Sequence, residues 1–468
     1  MSIVTNFFKD SFWTIGAQGV SLLTSVIVSF VLPKFISVEE FGYWQYFLLW
    51  ASYVGVMHFG YGDGIYLKLG GKYWNTLKKE KLSQQILLVT LSQIFIATII
   101  IIAAYTFCNQ EKYLIIFLWT ALYLVIENTY KIITMAMMAT DQIPFVSKTV
   151  IIDKLLMSAL VVLLIIIHIK DACYVMLAYT AAHLVACLMI LYKSKLFTNV
   201  PAVNKECLNE VLLTCKVGIT LMLANFVSIL IMGLCRIAVE RYWNIETFSK
   251  LSFSITIASF LLVFISQIGY VLFPILKRMT KESQSILFEK IDFVMTLLPI
   301  VLYILFFAMY FFVKFWLPKY DDSLRFLAFT APCICYETRV VLLYNTYFKN
   351  MGKIKQLLYI NIICVVCSIV LYALAISLYD IDMMALSILI AEMVKVYIMQ
   401  KYLYKEYTLK IESPSIVELV NTIGFVICFY YFGIYIALIW YIIIMCIIIS
   451  AFKNKTLSII ESIKKYKK

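Results

Sequence analysis

About fourteen apolar stretches follow one another along this chain of 468 residues, each long enough to cross a bilayer. The short loops between them are alternately rich and poor in lysine. The uncharged runs at 86–107 and 294–313 each give a helix of about 30 Å at 1.5 Å per residue, the thickness of the hydrocarbon layer. Membrane strands would alternate apolar and polar residues, and these runs are apolar throughout. The chain is 63% hydrophobic and 14% charged, against roughly 45–50% and 25% in soluble domains. The expected fold class is an all-α polytopic membrane protein. Its function then falls to helices inside a membrane, which excludes most enzymes.

Helices are predicted near 11–32, 44–67, 84–107, 113–137, 148–168 and 172–192, and a second set near 212–236, 248–275, 289–313, 324–347, 355–378 and 383–402. A last pair is predicted near 415–431 and 434–452. The run from Leu419 to Phe452 carries no charge and is too long for one span, so a hairpin near Phe432-Gly433 is expected. The organisation expected is 1–205, 206–410 and 411–468: two six-helix lobes, then a helix pair with a basic tail.

Lysine placement orients the chain. Lys68, Lys72, Lys78, Lys79 and Lys81 share one loop, and Lys193, Lys195 and Lys205 another. Lys277, Arg278 and Lys281, then Lys349, Lys353 and Lys355, then Lys401, Lys405 and Lys410 follow, before the tail Lys464-Lys465-Tyr466-Lys467-Lys468. These loops would be cytoplasmic, with both termini, while Glu39-Glu40 and Asp380-Ile381-Asp382 lie in outer loops. Lys314 and Lys319 are the main exceptions. The net charge of +13 is thus explained without nucleic acid. The 12 Cys fall mostly inside predicted helices as small hydrophobes. His58, His168 and His183 are too scattered for a metal site. No cofactor is expected, nor a cleavable signal, since the first apolar segment after Lys9 and Asp10 lacks a small-residue cleavage site.

A repeat of about 210 residues relates the halves. Residues 36–41 correspond to 243–248, Gly60 to Gly269, and Glu127-Asn128-Thr129 to Glu337-Thr338-Arg339. Six helices per half would give both halves one orientation.

Charges inside hydrocarbon cost about 2.5–3.5 kcal/mol each and face bundle interiors or wet cavities. Arg339 lies midway along its predicted helix, fit to bind an anionic group or to form an ion pair with another helix. Glu337, two residues away, should not pair with it. Glu127 with Lys131, and Glu392 with Lys395, have the spacing of intrahelical ion pairs. These acids are structural or bind a coupling ion. Asp63, in Gly60-Tyr61-Gly62-Asp63-Gly64, marks either a hinge or gate, or an interfacial acid beside Lys68. Arg236, followed by Glu240 and Arg241, snorkels to the surface or turns inward to add positive charge. For His58 and His183, a satisfied buried histidine is expected over a titrating one.

Phe12-Trp13-Thr14-Ile15-Gly16, Val38-Glu39-Glu40-Phe41-Gly42-Tyr43-Trp44 and His58-Phe59-Gly60-Tyr61-Gly62, with the twelve-plus-two helix count, carry a resemblance. The chain resembles the Wzx-type polysaccharide flippases of the multidrug/oligosaccharidyl-lipid/polysaccharide flippase superfamily. The resemblance implies two six-helix lobes around a central cavity, in a bacterial cytoplasmic membrane. It implies translocation of an undecaprenyl-diphosphate-linked oligosaccharide to the outer leaflet for O-antigen, capsule or exopolysaccharide assembly. The implied partners are this lipid-linked substrate, membrane lipids, and a polysaccharide polymerase with chain-length machinery. Arg339, Lys131, Lys395, Arg236 and His58 would line the cavity, with the cations holding the diphosphate. Without a Walker motif or cytoplasmic domain, an ion gradient or the membrane potential is the expected drive. Two other readings stay open: an ion-coupled drug antiporter of the same fold, and a membrane-embedded polymerase or ligase, which would need a larger outer loop.

Overall fold

The computed structural model describes residues 3–198, 202, 204–409, 414–447 and 450, and helix fills nearly all of them, with no strand among the described residues. Lys410 and the basic tail at 464–468 lie outside them. The chain divides into two compact units, Met1–Ile229 and Leu230–Lys468. The division falls within a long helix that the sequence places wholly in the second half.

The first unit contains α1 (Ile3–Val26), a π turn at Ile27–Val31, α2 (Leu32–Phe35) and α3 (Val38–Tyr53). A 3₁₀ turn at Val54–His58 leads into α4 (Tyr61–Leu69), and α5 (Lys79–Phe107), α6 (Glu111–Ala139), α7 (Ile143–Ile166) and α8 (Ala172–Ser194) follow. Helix α9 (Lys205–Tyr242) crosses the division. The second unit continues with α10 (Ile245–Arg278), α11 (Lys281–Trp316), α12 (Ser323–Arg339), a π turn at Val340–Tyr344 and α13 (Asn345–Asn350). It closes with α14 (Ile354–Ser377), α15 (Ile381–Glu406), α16 (Pro414–Phe432) and α17 (Ile434–Ile447). Among the described residues every predicted apolar stretch is largely helical, the one at 44–67 broken at Phe59-Gly60, and 448–449 and 451–452 of the last stretch lie outside the described residues. Among the described residues, nine helices are long and apolar enough to cross a membrane, and Glu418–Phe432 and Ile434–Ile447 are shorter apolar helices.

Local chemistry sets the helix starts. Ser37 accepts a hydrogen bond from the Glu40 amide (3.0 Å), Asp171 from Cys173 (2.8 Å), Asn244 from Thr247 (2.7 Å), and Asp380 from Asp382 and Met383. Each satisfies an amide that the first helical turn leaves unpaired. Lys112 then bonds Glu40 (2.9 Å) and Asp171 (3.1 Å), tying three helix starts together at one end of the first unit. The expected hairpin forms with Gly433 at φ +82°, a left-handed position that glycine occupies without strain.

The glycine cluster both bends a helix and admits a neighbour. Phe59 (φ 50°) and Gly60 (φ 79°) are left-handed and separate the 3₁₀ turn from α4. Gly60 and Gly64 lie against Gly218 and Thr214 of α9 so closely that a Cβ at Gly64 or Gly218 would collide with backbone.

Candidate functional site

Among the described residues, three ion-pair clusters around a buried base stand between helices, one in the first unit and two in the second. In the first unit, α6 supplies Tyr123, Glu127 and Lys131, α7 supplies Asp153 and Lys154, and α8 supplies Tyr179 and His183. His183 Nε2 lies 2.8 Å from Glu127 and its Nδ1 3.5 Å from Asp153. Lys154 pairs with Asp153 at 3.1 Å, and the Tyr123 hydroxyl donates to Glu127 at 3.2 Å.

The Glu127–Lys131 pair expected from their spacing does not form. The His183 imidazole, brought in by α8, takes the carboxylate, and Lys131 makes no ion pair among the described residues. Its ammonium points toward the α3 end instead, 2.8 Å from where a Cβ on Gly55 would sit. Gly55 leaves the space the lysine head occupies. Lys131 is half-buried and is therefore a cation within a spanning helix that no carboxylate neutralises directly.

His58 is buried, its Nδ1 accepting from the Gly60 amide at 3.1 Å and its Nε2 3.9 Å from Asp63. It has partners, as a buried histidine should. Asp63 thus approaches His58, and Lys68 donates to Thr214 instead, at 2.7 Å.

In the second unit, Arg339 ends α12 and is 1% exposed. Its Nε donates to Asp292 of α11 at 2.9 Å and its Nη1 to Glu418 of α16 at 2.5 Å. The π turn after Arg339 also brings Tyr344 to Asp292 (2.9 Å), and Gln400 and Tyr404 of α15 donate to the other carboxylate oxygen, each at 2.9 Å. Arg339 is an interhelical ion-pair residue joining α11, α12 and α16. Glu337 points elsewhere, as two-residue spacing requires: it accepts from Lys395 of α15 at 2.7 Å, while Glu392 lies 3.2 Å from the same ammonium. Lys395 is fully buried. Arg236 is half-buried, donating to Ser252 at 3.0 Å and lying over the Phe248 ring.

These contacts extend the repeat. In each half an acid on the fourth predicted helix (α6 or α12) meets a base on the sixth (α8 or α15), Glu127 with His183 and Glu337 with Lys395, at offsets of 210 and 212 residues. Among these groups carboxylates outnumber cations in both second-unit clusters, whereas the first unit holds the cation without a direct partner. Sequence reading overlooked Asp292, Glu418, Asp153 and Lys154. Glu418 had a signal, as the last charge before the uncharged run, and so did Asp153-Lys154, charged residues inside a predicted helix.

No family model matches the sequence, and no curated protein aligns with it significantly. Solved structures do match. The lipid II flippase MurJ in an inward closed conformation superposes with TM-score 0.63 at 14% identity, over 94% of this chain and 99% of that one. An outward-facing multidrug resistance MATE family transporter of the MOP superfamily gives 0.53 at 11% identity over 86% and 95%. An inward-facing one gives 0.56 at 12% identity over 84% and 94%. The chain has the polytopic helical fold shared by MurJ and the MATE transporters.

Proposed function

We propose that this protein moves a diphosphate-linked lipid oligosaccharide across a bacterial cytoplasmic membrane by alternating access, without bond-making chemistry of its own. One observation carries the choice among functions of this fold. The match to the lipid II flippase takes in about 40 residues more than the matches to the MATE exporters, roughly the size of the terminal helix pair. A hydroxyl entering hydrocarbon without a partner costs about 4–8 kcal/mol, so a sugar head group needs a polar path. Lys131 is our choice for the diphosphate contact, since Arg339 and Lys395 each face two carboxylates and the Arg236 Nε is bonded to Ser252. The substrate would carry an undecaprenyl chain, its glycan destined for O-antigen, capsule or exopolysaccharide. Membrane lipids and a polysaccharide polymerase with chain-length machinery are the proposed partners, and both termini are proposed to be cytoplasmic.

A second reading rests on the acids. Glu127 and Glu337 sit in helices long and apolar enough to span, with Glu392 on α15 and Asp63 at the bend, and would bind the coupling ion of an antiporter. Proteoliposomes loaded with fluorescent polyprenyl-diphosphate oligosaccharide, its monophosphate counterpart or a cationic dye separate the readings. Protein-dependent flipping of the diphosphate lipid alone supports the flippase. Gradient-driven dye export with no lipid flipping supports the antiporter.

A further inference from the structure

In the second unit, α12, α15 and α16 enclose a cavity of about 520 Å³, within the range of about 300–1,000 Å³ typical of small-molecule sites. It runs along α15 from Asp380 to Met393 and along α16 from Tyr431 to Thr422. Thirteen residues of helix make a trough about 20 Å long, more than half the hydrocarbon thickness. Leu386, Leu389, Val426 and Ile427 are among its walls, so it suits a hydrocarbon chain. The lining residues Met383, Ile390 and Ile423 are exposed, which opens it sideways to the surroundings.

The polar end is built. Asp382 is 7% exposed, its Oδ2 accepting from Arg325 and from the Tyr430 hydroxyl at 2.8 Å. Its Oδ1 is buried and has no hydrogen-bond partner among the described residues. A buried carboxylate oxygen left without a donor costs free energy that a bound donor recovers. Asp380 adds a second negative charge at the cavity edge, its Oδ1 used by the start of α15. The Arg325 side chain, 57% exposed, still faces outward beside Asp382.

We propose that this cavity is a lipid site for a head group with a primary ammonium and a phosphate, of the phosphatidylethanolamine type. The ammonium donates to Asp382 Oδ1, the phosphate meets Arg325, and an acyl chain lies in the trough. The site does not involve Lys131 and stands whether or not the flippase reading holds.

The test is native mass spectrometry of the purified full-length protein, titrated with dioleoyl phosphatidylethanolamine, phosphatidylcholine or phosphatidylglycerol. The ethanolamine lipid should bind about tenfold tighter than the choline lipid, whose quaternary head donates no hydrogen bond. Asp382→Asn should erase that preference. Ile390→Trp, which blocks the trough while leaving Asp382 and Arg325 in place, should remove binding, and it decides the matter if Asp382→Asn does not fold. Equal binding of all three lipids, preference for the anionic glycerol lipid, or an ethanolamine preference that survives Ile390→Trp would overturn the proposal.

Discussion

Replacing Arg339 by alanine separates a structural cation from a substrate-binding one. Asp292 is 1% exposed and Glu418 4%, and Arg339 is bonded to both. Alanine leaves two carboxylates buried without their cation, and breaking a buried pair by removing one partner costs about 3–5 kcal/mol. Tyr344, Gln400 and Tyr404 still donate to Asp292, but Glu418 keeps no such set, so the upper part of that range applies. At roughly 2–4 °C per kcal/mol for a large domain, the melting temperature should fall by on the order of 10 °C. Thermal melting of detergent-purified protein measures this, with fluorescence-detected size exclusion as a check on aggregation. Removing the charges together, as Arg339→Met with Glu418→Leu and Asp292→Asn, whose side chain keeps hydroxyl donors in Tyr344 and Tyr404, should recover most of the loss, because a buried ion cluster replaced whole is often neutral or better. An Arg339→Ala protein that melts like wild type would refute this reasoning.

Lys131→Met should leave the melting temperature nearly unchanged, since the lysine has no ion pair to lose, and Gly55→Ala should shift its ammonium at little cost in stability, both read by melting curves. Gly218→Ala should destabilise by about 1–3 kcal/mol or more, because the methyl meets the backbone of Gly60 and Gly64 rather than a movable side chain. Outside the spans, Lys353 and Glu406 bond at 2.5 Å; that bond holds the Glu406 carboxyl below, and the Lys353 ammonium above, their ordinary values. The pair should contribute about 0.2–1 kcal/mol between the two ranges. That contribution should vanish as pH falls through the lowered Glu406 value, and again as pH rises through the raised Lys353 value. The stability difference between wild type and Glu406→Gln, followed against pH and salt, checks the sign.

Most of the architecture was legible because length and apolarity suffice to specify a spanning helix, and Gly433 could only be a turn in so long an uncharged run. Pairing was less legible. Glu127 and Lys131 have ideal spacing along α6, yet His183 arrives from α8 and takes the carboxylate. Arg339 could be flagged as costly in hydrocarbon, but its partners come from helices 47 and 79 residues away. Asp292 sits near the start of its predicted helix, where a charge reads as interfacial. A one-dimensional pattern carries the price of burying a charge and not the identity of the side chain that meets it.

Flipping itself is read by head-group exposure in proteoliposomes carrying a fluorescent undecaprenyl-diphosphate oligosaccharide, using a reagent confined to the outer leaflet. Wild type should expose the label faster than protein-free vesicles, and Lys131→Met, equally stable, should lose most of that rate while Lys131→Arg keeps it. Exposure no faster than in protein-free vesicles, across several head groups and with an imposed ion gradient, would show that the protein is not a flippase.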